Sequence, residues 1–301
     1  MPRTEHAIRF GPYSAIITER SGALRELRHG GRDLVVGFGA DGPIPDYRGV
    51  VCAPWPNRVA GGRYSHGGRT FQAVINEPER NTALHGLVLD APWTLVKRTD
   101  SSVMLRCRVD AGPAYPGVLA VTASYELLDD GLHCSVTAAN VGEAPAPYGV
   151  CPHPYLMAGP APLDEWTLEL PAREFLEVSP DRLLPQHLSS VEGHEFDFRT
   201  ERGLGPVRID HAFTGISRNA DGLAAVRVFD PSGAGVEIEW DERCPWVQVH
   251  TADKPAGPDR LGLAVEPMTC PPDAFNSGTD LVELLPGSSH QAGWTIRALS
   301  R

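Results

Sequence analysis

Two ionisable side chains in this sequence sit in unusually stiff backbone. His153 lies in Tyr148-Gly149-Val150-Cys151-Pro152-His153-Pro154-Tyr155-Leu156, between two prolines. An imidazole titrates near neutrality and can give or take a proton. Pro154 biases His153 toward extended backbone, and Pro152 has its own φ fixed, so the ring is carried on a stiff segment. Glu266 repeats this pattern. It follows the apolar run Leu261–Val265 and precedes Pro267 in Glu266-Pro267-Met268-Thr269-Cys270-Pro271-Pro272-Asp273-Ala274-Phe275-Asn276-Ser277-Gly278. A carboxylate at the end of a buried strand is pushed toward its neutral form unless a ligand or cation compensates. One stiffened imidazole and one stiffened carboxylate suggest a general acid and base pair. A glycosidase would instead use two carboxylates at a set separation, which a sequence does not reveal.

Three further polar stretches are too elaborate to be simple turns. Ala53-Pro54-Trp55-Pro56-Asn57-Arg58 offers the planar donors of Arg58, suited to hydroxyl or carboxylate oxygens. The long connection from Asn76 to Gly86 ends in His85-Gly86, a plausible pocket rim held by a rigid scaffold. In Ile209-Asp210-His211-Ala212-Phe213 adjacent side chains point apart if the chain is extended, so one of the pair faces a site, and Asp210 is the expected one.

The elements that must position these groups read as strands. Glycine (31) and proline (28) together make about a fifth of the chain and punctuate short apolar runs, the pattern of an all-β protein. Arg63–His66 and 69–75 flank Gly67-Gly68 as a hairpin. The clearest hairpin joins 118–128 to 132–140 through Asp129-Asp130-Gly131. Further strands are expected at 14–19, 23–28, 103–109, 166–170, 225–229, 236–240, 246–251, 261–265 and 294–299. Pro271-Pro272 suits the start of a short helix. No helical stripe exceeds two turns, and no composition shift divides the chain. The expectation is one domain over 1–301, a large sandwich of antiparallel sheets.

Composition excludes several classes. The net charge of −11 with no basic stretch argues against nucleic acid or an anionic membrane surface as partner. No apolar stretch approaches bilayer length, and no signal peptide is evident at the N-terminus. The six cysteines are scattered without a C-x-x-C pair, which suggests a reduced, cytoplasmic setting and no structural zinc. Lys97 and Lys254 are the only lysines, and neither setting suits Schiff-base chemistry. A cupin-like metal site could draw on His85, His153, His211 and His250, but each lies on a different segment, and the H-x-H spacing with a following glutamate is missing.

Taken together, these segments resemble the aldose 1-epimerase (mutarotase) family of the galactose-mutarotase type. The matching pieces, in the family's order, are Asn57-Arg58-Val59 with Gly62-Arg63-Tyr64, Asn81-Thr82-Ala83-Leu84-His85-Gly86, His153-Pro154-Tyr155, Asp210-His211-Ala212-Phe213 and 266–276. The resemblance implies a large antiparallel β-sandwich with a sugar groove, no metal or organic cofactor, and a small-molecule sugar as partner to a monomer or homodimer. It implies His153 as general acid and Glu266 as general base in opening the hemiacetal ring, with Arg58, His85 and Asp210 holding sugar hydroxyls. Trp55 or Trp246 would offer a stacking face. Cys151-Pro152 before the histidine, and the Glu266-Pro267-Met268-Thr269 context, resemble a bacterial subgroup likened to sulfoquinovose mutarotase. A non-catalytic sugar-binding protein of the same fold is the alternative; the presence of both His153 and Glu266 argues against it, since binding needs no proton-transfer pair.

Overall fold

A computed structural model describes residues 4–254 and 259–301. Two large antiparallel sheets dominate it. The first has nine strands, in the order Thr94–Arg98, Ser102–Val109, Leu119–Leu128, Gly131–Asn140, Ser289–Ser300, Ala234–Trp240, Ala224–Phe229, Thr167–Glu169 and Arg202–Gly203. The second has six, in the order Tyr155–Leu156, Leu263–Met268, Trp246–His250, Asp210–Thr214, Glu174–Val178 and Pro185–Ser190. Four N-terminal strands (Glu5–Phe10, Tyr13–Thr18, Leu24–His29 and Arg32–Asp33) form a smaller sheet of their own. The expected all-β, antiparallel architecture is the one observed.

Alternation along the strands explains the packing. In Leu119–Leu128 and Gly131–Asn140, paired from Leu119↔Asn140 to Leu128↔Gly131, buried and half-exposed residues alternate over most of their length. This is the period-2 signature of a sheet with one face on the core. The inward residues Val121, Val136 and Ile296 join Phe213, Val247, Val249 and Val265 of the six-stranded sheet in one continuous core.

The six-stranded sheet differs in having its second face covered as well along Leu263–Met268. Leu263–Met268 is buried at every position. Leu263 and Val265 belong to the main core, while the alternate residues Ala264 and Met268 join smaller clusters on the other face. Glu266 shares that other face by periodicity. The expected strand at 261–265 is therefore corrected. The strand runs through Glu266 and Pro267 to Met268, so the glutamate sits inside a buried strand, not beyond its end.

The register that meets Glu266 is specific. Tyr155 pairs with Ala264 and Leu156 with Leu263. Further along, the Val265 amide donates to the Pro154 carbonyl (3.2 Å) and the Thr269 amide to the Val150 carbonyl (3.1 Å). Carried through, this register sets Pro267 against Pro152 and His153 directly opposite Glu266. A proline inside a strand removes a ladder bond; here two prolines without N–H groups face each other, so neither strand loses a partner the other could have supplied. On its other side the His153 backbone is also tied: its amide donates to Val50 (3.1 Å) and its carbonyl accepts from Gly49 (2.8 Å).

Two local expectations shift. The short helix is Ala274–Ser277, starting after Pro271-Pro272 and not at them. Arg58, expected in a loop, begins the strand Arg58–Ala60. Strands with weak apolar signals, such as the mostly exposed Pro185–Ser190, were not foreseen. Among the described residues no helix is long and apolar enough to cross a membrane.

Gly49 holds the backbone opposite His153 at φ +68, and a Cβ there would lie 2.0 Å from the Leu24 carbonyl oxygen. Gly49→Ala should destabilise the protein by well over ~1 kcal/mol. Gly11→Ala, at φ +53 in open space, should cost no more than about 1 kcal/mol. Thermal denaturation of both variants checks this, and equal losses would show that the close approach to Leu24 is not the constraint.

Candidate active site

His153 and Glu266 meet on the covered outer face of the six-stranded sheet. Nε2 of His153 lies 3.3 Å from Oε1 of Glu266, and the two residues are only 5% and 1% exposed. Their register makes them cross-strand neighbours, the pairing in which side chains approach most closely. On the other flank of Glu266, Gln248 is its register partner, and Gln248 Nε2 donates to Asp210 Oδ1 at 2.7 Å. Asp210 pairs in register with His250. One face of four neighbouring strand segments thus carries His153, Glu266, Gln248 and Asp210 in a row.

Loops close over this row and leave a cavity of about 180 Å³, lined among others by Arg58, His85, Tyr47, Tyr155 and Asp46. All five residues expected from the sequence line it. Arg58 and Glu77 form a buried bidentate pair, Nε to Oε2 at 2.8 Å and Nη2 to Oε1 at 2.9 Å, with the Thr82 hydroxyl adding a bond to Oε2 at 2.6 Å. The fork of Arg58 is therefore largely engaged within the protein. Its fixed position presents positive charge to the cavity.

His85 ends the strand Thr82–Leu84 at φ 62, left-handed backbone that a histidine adopts only when its surroundings hold it there. Its amide donates to the Asn57 carbonyl at 2.8 Å, and its ring meets those of His153 and Tyr47 edge-on at 5.0 and 4.7 Å. Arg182, from the turn between Glu174–Val178 and Pro185–Ser190, donates to the carbonyls of Arg80 and Asn81, both at 2.9 Å. That clamp fixes the 77–85 loop over the sheet.

Electrostatics follow from burial. Burial pushes the Glu266 carboxyl well above the usual range, and the Asp210 charge adds to this; the Cys151 thiol and Arg58 pull the other way. Burial, then the neighbouring His250, pulls His153 down to about 3. Burial, then the charges of His153 and Arg58, also lowers His85. An ion pair at 3.3 Å would by itself move both groups toward their charged forms, but the lost hydration outweighs it. The pair accordingly holds one mobile proton, favoured on Glu266. Burial alone would raise Asp210 too, but His250, Arg58 and the Gln248 hydrogen bond hold it below its usual value, as an anion.

Three buried polar atoms of the lining residues have no hydrogen-bond partner among the described residues: His85 Nδ1, His153 Nδ1 and Gln248 Oε1. Each unpaired atom costs roughly 1–3 kcal/mol. Their concentration here suits a ligand rich in hydroxyl groups, which both donate and accept.

Some expectations fall away at this site. Trp55 and Trp246 are buried away from the cavity, Trp55 against Phe275 and Trp246 donating to Asp280 at 2.7 Å. Aromatic faces come from Tyr155, stacked on His153 at 5.3 Å, and from Tyr47. His211 points to the opposite face, among Phe175 and Phe196. Hence the four histidines weighed as a metal set are divided between two faces, and among the described residues no group of three or more His, Cys, Asp or Glu is placed to hold a metal ion. Gln248, Glu77 and Tyr47 were missed. Gln248 was detectable as the one polar residue in Trp246-Val247-Gln248-Val249; the other two carried no distinguishing signal.

A family model described as Aldose 1-epimerase matches residues 8–297, and the chain belongs to that family. The Escherichia coli K12 "Uncharacterized protein YihR" is 35% identical over 288 residues, covering 95% of this chain and 90% of that protein. An aldose 1-epimerase of the same bacterium is 28% identical over 166 residues, 52% of this chain and 46% of that protein. Among solved structures, a GalM/aldose epimerase homologue from C. elegans superposes with a TM-score of 0.86 at 20% identity, covering 99% of each chain.

Because the folded protein raises Glu266 above its unfolded value, the carboxyl stabilises the fold only at low pH, and this is lost as pH rises through the raised value. Glu266→Gln should therefore increase Tm at pH 8, by roughly 2–4 °C for each kcal/mol relieved, with a smaller gain near pH 4. A Tm at pH 8 equal to or below that of the native protein would contradict the burial argument. Glu77→Ala strands the Arg58 charge and should cost about 3–5 kcal/mol, measured by chemical denaturation.

Proposed function

We propose that this protein is an aldose 1-epimerase that interconverts the α and β anomers of an aldohexose or a derivative of one, with residues 1–301 acting as a single domain. The observation that carries the reading is the contact of His153 Nε2 with Glu266 Oε1 on the floor of a cavity whose other walls carry mainly polar side chains beside the rings of Tyr47 and Tyr155. At about 180 Å³ the cavity is smaller than the roughly 300–1,000 Å³ of drug-sized sites, which favours one sugar ring over an oligosaccharide.

Mutarotation needs a base at the anomeric hydroxyl and an acid at the ring oxygen. In the proposed assignment Glu266 takes the proton from the anomeric O–H as that oxygen becomes the aldehyde carbonyl. The bond between C1 and the ring oxygen breaks, and His153 delivers a proton to the departing ring oxygen. Rotation about C1–C2 exposes the other face, and closure reverses both transfers. Overall no proton is gained or lost, which matches a pair holding one mobile proton. The reactive arrangement has that proton on His153. Burial prefers it on Glu266, so the enzyme reaches the reactive form by a transfer across the 3.3 Å contact. Sugar hydroxyls donating to Glu266 would favour it. Each such assisted transfer contributes about 10²–10⁴-fold in rate.

Arg58, His85 and Asp210 are assigned to the hydroxyls. Asp210 is an acceptor, Arg58 a fixed cation with limited free donor capacity, and His85 a neutral ring with an unpaired Nδ1. Six buried, unpaired cysteines suit a reducing, cytoplasmic setting.

Anomer exchange by NMR or polarimetry on fresh α-glucose, α-galactose and α-sulfoquinovose tests the activity. His153→Asn and Glu266→Gln should each reduce it by at least ~10²-fold, with circular dichroism unchanged; wild-type rates in both would sink the assignment. The rate should also stay high as pH falls through 6.5, because the histidine is held down to about 3 by burial. An acid limb at the ordinary histidine value of about 6.5 would mean that His153 titrates as a solvated group.

A further inference from the structure

Glu266 is held from a direction that the acid–base exchange does not explain. Besides the His153 contact at Oε1, its carboxylate has one hydrogen-bond donor among the described residues, the thiol of Cys151, with Sγ 3.6 Å from Oε2. Cys151 lies two residues before His153 in extended chain, so both side chains fall on the same face and flank Glu266 from one strand. Cys151 is fully buried and pairs in register with Cys52 across the strand Val51–Cys52. Burial keeps the Cys151 thiol protonated, so it remains a donor.

We propose that Cys151 is a positioning residue for the base. Its S–H fixes the Oε2 end of the carboxylate and leaves Oε1 turned to His153, and as a weak donor it keeps Glu266 more basic than a hydroxyl would. The inference rests on the assignment of Glu266 as base. A hydroxyl donor to a carboxylate makes a bond of about 2.5–2.7 Å and roughly twice the strength of a neutral one. A thiol donates weakly. The carboxylate therefore gains orientation from Cys151 with little loss of proton affinity.

Other groups also act on Glu266. Asp210 opposes its ionisation, while Arg58 favours it. Tyr155 and Cys52 also feel its charge. His250 and His85 interact electrostatically with His153. Substitutions at Cys151 leave all of these in place, which makes that position a clean probe.

The test is the pH profile of kcat/KM for anomer exchange, on whichever of the three sugars exchanges fastest, with the uncatalysed rate subtracted. Cys151→Ser should move the basic limb down by on the order of one pH unit while retaining turnover. Cys151→Ala should move it up and lower kcat more than it raises KM, because the carboxylate loses its anchor. Cys151→Thr, whose branched side chain suits extended backbone, replaces serine if that variant folds poorly. Basic limbs coinciding with the wild type in the alanine and hydroxyl variants would overturn the role of Cys151 and leave the acid–base assignment intact. Full activity in Glu266→Gln would instead overturn that assignment.

Discussion

A carboxyl and an imidazole have been taken out of water and set against each other, and much of the structure serves to keep them there. Glu266 belongs to a strand buried on both faces, and His153 to the extended segment directly across from it. Neither group would choose to ionise in that setting, yet neither is free to leave it. The main-chain bonds from Gly49, Val50, Val265 and Thr269 fix the opposing backbones at intervals of a residue or two. A buried pair of this kind contributes little to stability; in the proposed function its value is chemical, because it holds one proton ready to move.

The prolines acquire a structural meaning from this arrangement. In Cys151-Pro152-His153-Pro154-Tyr155 the odd-numbered side chains face the site, and Pro152 and Pro154 turn toward Trp294 and Ile296 of the nine-stranded sheet. Pro152 also opposes Pro267, so the ladder position on that side of the His153–Glu266 pair contains no N–H, and on the other side the Val265 amide is taken up by the Pro154 carbonyl. The same alternation places the Cys151 thiol and the His153 ring on either side of Glu266. One pentapeptide thus supplies the proposed acid, a donor to its partner and an aromatic wall.

The second layer of the site is a set of loops held in unfavourable backbone. Asp46, Tyr47, Asn57, Asn81 and His85 all have φ between 51° and 62°. Such strain persists only where the surroundings over-determine it. Here they do: Lys254 and Arg48 bind Asp46 at 2.6 and 2.9 Å, Arg182 clamps the carbonyls of 80 and 81, and the Arg58–Glu77 pair locks the two loops together. Polar groups are thereby aimed at the cavity before any ligand arrives.

What the sequence by itself determined was local and periodic. The hairpin around Asp129-Asp130-Gly131 was legible because its alternation and its glycine act within a few residues, and the five residues that meet at the cavity drew notice because each sits in a stretch that strand propensity does not explain. The same locality set the error at Glu266, where Pro267 reads as a strand end until the opposing Pro152 is known. Exposed strands such as Pro185–Ser190 left no apolar pattern to read, being fixed only by the neighbour they pair with. The tertiary structure alone decided the register that sets His153 against Glu266, the burial that moves both protons, and the recruitment of Gln248, Glu77 and Cys151. Pairing across more than a hundred residues depends on sheet order and on which faces the core consumes. No short stretch of chain contains that information.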